Sequence, residues 1–259
     1  MTQAARRFYL IQSLLHEQPR LAGTEIPAGE QEQKNLLRSL LNIRMPQPVC
    51  KDFLKVQNAY LQEEIQRRGI TNFADLKPLQ KEIYLWKGDI TTLCCDAIVN
   101  AANRQMLGCF VPCHNCIDNA IHTFSGIQLR LACAELMKKQ RSMEESGKAK
   151  ITPAFNLPCK YVLHTVGPMV HGKLAEKEKN LLVSCYRACL ELAEQNGVKS
   201  IAFCCISTGE FCFPNDKAAE LAIQTVKNYK AQTHSAIQVI FNVFKETDYR
   251  IYRKLLSAD

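Results

Sequence analysis

Residues 201–206, Ile-Ala-Phe-Cys-Cys-Ile, are apolar at every position. A strand turns successive side chains to opposite faces, so this run has no polar side to offer water. It is of the type buried on both faces in α/β proteins, and it requires cover above and below. From about Lys81 onward the chain provides that cover. Residues 83–86, 97–99, 161–166 and 237–244 read as further strands. Helical spacing marks 117–124 and 127–139, with Gly126 at the break between them. It also marks a long helix through Leu181, Leu182, Cys185, Ala188, Cys189 and Leu192 that ends at Gly197, then 218–229 and 248–256. The stretch 142–150 is polar and charged and reads as a loop. Strands alternating with helices predict an α/β fold whose mostly parallel sheet is covered on both sides. In such sheets ligands bind beyond the carboxyl ends of the strands.

Residues 1–80 differ in kind. Phe8, Leu10, Ile11, Leu14 and Leu15 recur at helical spacing, as do Leu36, Leu37, Leu40, Leu41 and Met45. Phe53, Val56, Tyr60, Leu61 and Ile65 make a third stripe. Pro46 and Pro48 end the second helix, and Gly69 ends the third. The stretch 19–29 between the first two is turn-rich. The expectation is a helical N-terminal extension over 1–80 that caps an α/β unit over 81–259 and holds no reactive cluster of its own.

Composition removes several classes. Hydrophobic residues are 47% and charged residues 22%, which is ordinary for a globular chain and excludes disorder. No apolar run reaches membrane-span length, and the N-terminus lacks a signal-peptide core, so the expectation is a cytoplasmic protein. The formal charge of +8 is spread without blocks, which reads as a solvated basic surface rather than a nucleic-acid stripe. Of 13 cysteines, most sit within apolar patterns (Cys94 and Cys95, Cys185 and Cys189, Cys204 and Cys205), where a reduced thiol acts as a small hydrophobe. Only Cys109, Cys113 and Cys116 gather around a histidine, His114, in a loop.

That loop lies in the chemically densest part of the chain, 88–122. It holds an acidic turn (Gly88-Asp89-Ile90-Thr91), a strand, two carboxamides (Asn100 and Asn103), the Cys/His loop, and a helix carrying Asp118 and His122. Asp118 and His122 are i and i+4, so one helix face presents both. A third strand-following loop, Ser207-Thr208-Gly209-Glu210-Phe211, precedes a helix and offers backbone N–H groups suited to a phosphate.

Taken together, Gly88-Asp-Ile-Thr91, Ala97-Ile-Val-Asn-Ala-Ala-Asn103, Ile117-Asp-Asn-Ala-Ile-His122, Leu163-His-Thr-Val-Gly-Pro168 and Ile206-Ser-Thr-Gly209 occur in the order and spacing of the macrodomain family. The sequence resembles its MacroD-like branch over about residues 81–257. The resemblance implies a three-layer α/β/α fold that binds ADP-ribose and hydrolyses mono-ADP-ribosyl protein linkages. Residue by residue, it implies that Asp89 and the Ile90 backbone meet adenine, that Asn103 holds the distal ribose, and that Asp118 and His122 serve catalysis. Ser207, Thr208, Gly209 and Glu210 would line the second phosphate and ribose loop, with Phe211 over the distal ribose.

In one place the chain departs from ordinary members. Where they carry a run of glycines before the acidic position, it reads Gly108-Cys-Phe-Val-Pro-Cys-His-Asn-Cys116. That is similar to the zinc-containing macrodomains, which also carry a helical N-terminal extension. The match implies Zn2+ on Cys109, His114 and Cys116, and two thiolates with one imidazole suit a tetrahedral site whose fourth position is open. A fourth ligand from Cys113 would close the site, but neighbouring residues do not easily both reach one ion. The implied partners are ADP-ribose and a mono-ADP-ribosylated protein, which the zinc-containing family associates with a lipoylated carrier modified by a sirtuin-like transferase. Two rival functions use the same pocket: an ADP-ribose reader that does not cleave, and an O-acyl-ADP-ribose deacylase. His164, within a buried strand, and Trp86, before the acidic turn, read as core residues.

Overall fold

The computed structural model describes residues 1–21 and 23–257. The extension forms three helices: α1 (Gln3–His16), α2 (Glu30–Ile43) and α3 (Lys51–Arg68). Their apolar stripes meet in a core of their own, built on Leu10, Ile11 and Leu14 of α1, Leu37, Leu40 and Leu41 of α2, and Phe53, Tyr60 and Leu61 of α3. Thr2 caps α1, its hydroxyl accepting from the Ala5 amide, and Gly69 at φ +82° ends α3.

Nine strands follow among the described residues. β1 (Thr71–Asn72) pairs with β4 (Leu93–Cys94). The others are β2 (Pro78–Gln80), β3 (Ile83–Lys87), β5 (Ala97–Ala101), β6 (Ala149–Pro153), β7 (Tyr161–Thr165), β8 (Ser200–Phe203) and β9 (Gln238–Val243). They form one sheet in the order β2-β3-β9-β8-β5-β7-β6. The five inner strands are parallel, and β2 and β6 close the edges antiparallel. Helices α4 (Ile117–Ser125), α5 (Ile127–Gln140), α6 (Glu176–Gln195), α7 (Asn215–Thr233) and α8 (Glu246–Ser257) cover the sheet on both sides. The three-layer arrangement expected from the sequence is present. Among the described residues no helix is long and apolar enough to cross a membrane.

The differences from expectation lie at element ends. The strand expected over 201–206 stops at Phe203, and Cys204, Cys205 and Ile206 turn into the following loop while Cys204 and Ile206 stay buried. Residues 149 and 150, assigned to a loop, open the edge strand β6. Its half-exposed side chains, and Lys150 paired with Glu144 at 2.8 Å, hide the apolar period. β9 ends at Val243, which leaves Phe244 75% exposed. Residues 71–80 are not helical: they supply β1, β2 and a short 3-10 turn.

The extension is fused to the sheet unit rather than tethered. Ile127 of α5 joins the extension's core, and Ile65 of α3 joins the main one. Between them the fully buried Gln57 accepts from the Ile127 amide at 3.0 Å and donates to Gln128 Oε1 at 2.6 Å. The Ile127 amide opens α5 and has no partner within the helix, so Gln57 satisfies a group that would otherwise be buried bare. Gln57→Ala is expected to lower unfolding free energy by about 1–3 kcal/mol. Urea denaturation reads this directly, and an unchanged midpoint would contradict the docking described here.

Candidate active site

Because β3, β9, β8 and β5 are adjacent and parallel, the loops that follow them emerge along one edge of the sheet. The loops after β3, β5 and β8 are the three singled out from the sequence. At the end of β5, Asn100 is fully buried, and its Nδ2 donates to Asp118 Oδ1 at 2.8 Å. Asn103 Nδ2 donates to Asp118 Oδ2 at 3.3 Å and to the Gly108 carbonyl at 3.0 Å. The two carboxamides therefore hold one carboxylate from both oxygens, in the first turn of α4.

Burial pushes the Asp118 carboxyl up to about 6, against the opposing pull of the Asn100 amide and the Arg130 charge. It stays mostly ionised at neutral pH while being more basic than an exposed aspartate. His122 Nε2 lies 3.5 Å from Asp118 Oδ1, and neither ring nitrogen has a hydrogen-bond partner. Burial, then the neighbouring His164 and Arg130, holds His122 well below its ordinary pKa, so the ring is neutral. Arg130 on α5 is itself buried, and its charge is met by the carbonyls of Leu107 (2.7 Å), Leu41 (2.9 Å) and Arg44 (2.5 Å).

The loop between Asn103 and α4 brings Cys109, His114 and Cys116 together, with one donor atom of each within 4.8 Å of the others. His114 Nδ1 is 3.5 Å from Cys109 Sγ, and its Nε2 is 3.6 Å from Glu210 Oε1 on the loop after β8. Cys113 turns the other way, with Sγ 3.2 Å from Ser39 Oγ and 3.4 Å from the Asn35 carbonyl on α2. The set of two sulfurs and one imidazole, with Cys113 excluded, fits a zinc ion with an open fourth position. A second trio, His122, Cys133 and His164, is buried. His164 there is already engaged at both nitrogens, by Asn100 Nδ2 at 3.2 Å and Thr152 Oγ1 at 2.9 Å, so it is a satisfied core histidine.

The loop after β8 holds Ser207 at φ +66°, its Oγ buried and without a partner. Gly167 makes room for it, since a Cβ there would lie 2.0 Å from that oxygen. Among the described residues the backbone amides of Gly209, Glu210 and Phe211 make no hydrogen bond, whereas Thr208 is tied back to Cys205. α7 begins only at Asn215, so the loop's own amides, rather than the helix end, are what it offers an anion. Phe211 is half-buried.

At the end of β3, Asp89 Oδ1 accepts from the amide (2.9 Å) and hydroxyl (2.7 Å) of Thr91, and Ile90 is buried. Asp89 Oδ2 pairs with Arg68, the last residue of α3, which also donates to Thr91 Oγ1 at 2.9 Å and lies 3.8 Å over the Phe124 ring. Sequence reasoning missed Arg68 because nothing in a helix-ending Arg67-Arg68 pair says where the chain returns. It also missed Phe244, an exposed aromatic next to the Val243 carbonyl that accepts from Gly88 at 3.0 Å. An apolar ring directly after a buried strand, at its carboxyl end, was the available signal.

A family model described as Macro domain matches residues 99–222. A protein-ADP-ribose hydrolase from Treponema medium is 58% identical over 261 residues, covering 99% of this chain and 100% of its own length. One from Staphylococcus aureus strain MSSA476 is 45% identical over 257 residues, covering 98% and 96%. Among solved structures, the Trypanosoma brucei macrodomain in complex with ADP-ribose superposes with a TM-score of 0.66 at 28% identity, covering 85% of this chain and 94% of that one. The Oceanobacillus iheyensis macrodomain with ADP gives 0.63 at 32% identity, covering 71% and 94%. This chain belongs to the macrodomain family.

Gly108 is where the fold leaves least room. Its φ is +80°, and an added Cβ would lie 2.7 Å from the His122 ring. Gly172 shares that φ but has open space around it. Gly108→Ala is therefore expected to cost about 1–3 kcal/mol more than Gly172→Ala, the difference being the clash alone. Equal losses in parallel denaturation curves would contradict the close approach.

Proposed function

We propose that this chain is a protein-ADP-ribose hydrolase that removes mono-ADP-ribose from modified side chains, and that zinc on Cys109, His114 and Cys116 takes part. The observation that carries the reading is the buried Asp118 carboxylate, held by Asn100 and Asn103 beside a Cys2His set, on the sheet edge that also bears an anion-binding loop. A module that only binds ADP-ribose has no use for a basic carboxylate next to a metal set. The hydrolase names of relatives that align over nearly the whole chain point the same way.

Each group has a task in this reading. Asp89 Oδ2 keeps a lone pair beyond its Arg68 bond and accepts the adenine amino group, beside the Ile90 backbone. Phe244 offers its exposed ring as a stacking platform for the base. The free amides of Gly209, Glu210 and Phe211, with the Ser207 hydroxyl, hold the pyrophosphate. Asn103 and Phe211 position the distal ribose near the Cys/His loop. Cys109, His114 and Cys116 would hold a zinc ion, which would supply Lewis acidity when bound. Asp118 takes a proton from the water that attacks the distal ribose carbon bearing the protein side chain, which its raised basicity favours; the bond from that carbon to the side chain breaks, and the proton passes on to the departing side chain. His122, neutral and wedged against Asp118, limits the carboxylate's movement. The relatives' names point to a protein acceptor, and a lipoylated carrier is one substrate to assay.

Asp118→Ala is expected to lower the rate of ADP-ribose release by about 100-fold or more, as loss of a general base does, with a smaller effect on ADP-ribose affinity. Cys109→Ser is expected to follow it. Turnover on a mono-ADP-ribosylated protein, with calorimetric binding alongside, checks both. Full activity in both variants would sink the mechanism, and binding without release in the wild type would make the chain a reader.

A further inference from the structure

Among its described residues the helical extension carries no metal-ligating cluster, yet one face of α2 is spent on the Cys/His loop. Asn35, Arg38, Ser39 and Asn42 fall at i, i+3, i+4 and i+7 and so share that face. Arg38 Nη2 donates to the His114 carbonyl at 3.1 Å and to Asn119 Oδ1 at 2.8 Å, and its Nε reaches the same oxygen at 3.1 Å. Asn42 Oδ1 accepts from the Cys113 amide at 2.9 Å, while its Nδ2 donates to Thr123 Oγ1 on α4 at 3.0 Å. Asn119, fully buried, relays the grip: its Nδ2 donates to the Val111 carbonyl at 3.0 Å and its amide to Cys116 Sγ at 3.4 Å. Cys113 sits at φ +52°, a left-handed conformation that a non-glycine residue keeps only when its surroundings impose it. Here α2 imposes it, at the Cys113 amide through Asn42 and at its thiol through Ser39.

We propose that α2 is the outer shell of the metal loop, with Arg38 and Asn42 as positioning residues that hold residues 111–119 so that Cys109, His114 and Cys116 converge while Cys113 is turned aside. The proposal rests on the zinc reading above and goes beyond it. It assigns the extension a part in metal affinity, which a simple cap would not have. Partners of this kind typically govern affinity by about 10–100-fold.

The test measures Zn2+ affinity of the full chain by competition with a chromogenic chelator, together with thermal melting of the metal-free protein. Arg38→Ala and Asn42→Ala are expected to bind zinc about 10–100-fold more weakly, with the metal-free protein still folding cooperatively. Arg38→Lys, whose single ammonium cannot span both the His114 carbonyl and Asn119, is expected to fall between. Glu63→Gln is the control: it loosens the pair with Arg6 (2.6 Å) between α1 and α3, away from α2, and is expected to leave zinc affinity unchanged. Zinc bound as tightly by Arg38→Ala and Asn42→Ala as by the wild type overturns the proposal alone. So does a Glu63→Gln loss as large as theirs, because affinity would then follow general stability. A wild type that binds no zinc overturns the zinc reading and this proposal with it.

Discussion

A carboxylate taken out of water must find donors or lose its charge. Asp118 finds them in Asn100 and Asn103, and the rest of the site is arranged around that arrangement. Asn100 belongs to a strand buried on both faces, so the donor is fixed by the sheet itself. Asp118 belongs to the first turn of α4, where the helix dipole also favours a negative charge. The pair thus sets α4 against β5. Cys116, which caps α4, and His122, one turn further along, take their places from it. Gly108 is then the residue that lets the intervening loop pass over the His122 ring.

The second constraint is the cost of holding an irregular loop in one shape. Residues 104–116 form no helix or strand, and their polar backbone must be satisfied from outside. The extension does much of this. α2 supplies Arg38 and Asn42, Arg130 joins the Leu107 carbonyl to the end of α2, and α3 reaches the other end of the cleft with Arg68 on Asp89. Two of the three helices, α2 and α3, therefore touch the two ends of the candidate ligand site. The loop after β8 lies between them, with Glu210 Oε1 3.6 Å from His114 Nε2.

Much of this was legible in the sequence, for identifiable reasons. The run over 201–206 forced a covered sheet, and the spacing of Asp118 and His122 placed both on one helix face. The Cys/His loop announced its chemistry by composition. Element ends were less legible, because burial continues past the last strand hydrogen bond, as at Cys204 to Ile206. Edge strand β6 was hidden by its exposed, ion-paired side chains. The extension was read as a cap because its site contacts come from ordinary residues on a helix. Arg38, Asn42 and Arg68 gain meaning only from what lies opposite them more than twenty positions away in sequence. Cys113 shows the limit most clearly. Its adjacency to His114 argued against it as a ligand from the sequence, but where its side chain goes instead is set by Asn35, Ser39 and Asn42, which the sequence does not place beside it.

The most direct measurement compares ADP-ribose release from a mono-ADP-ribosylated protein before chelation, after chelation, and after Zn2+ is returned. The account predicts release that is lost on chelation and restored by zinc, with ADP-ribose still bound by the stripped protein. Release unchanged by chelation would contradict it, leaving the metal a structural part and the chemistry to Asp118 and Asn103 alone.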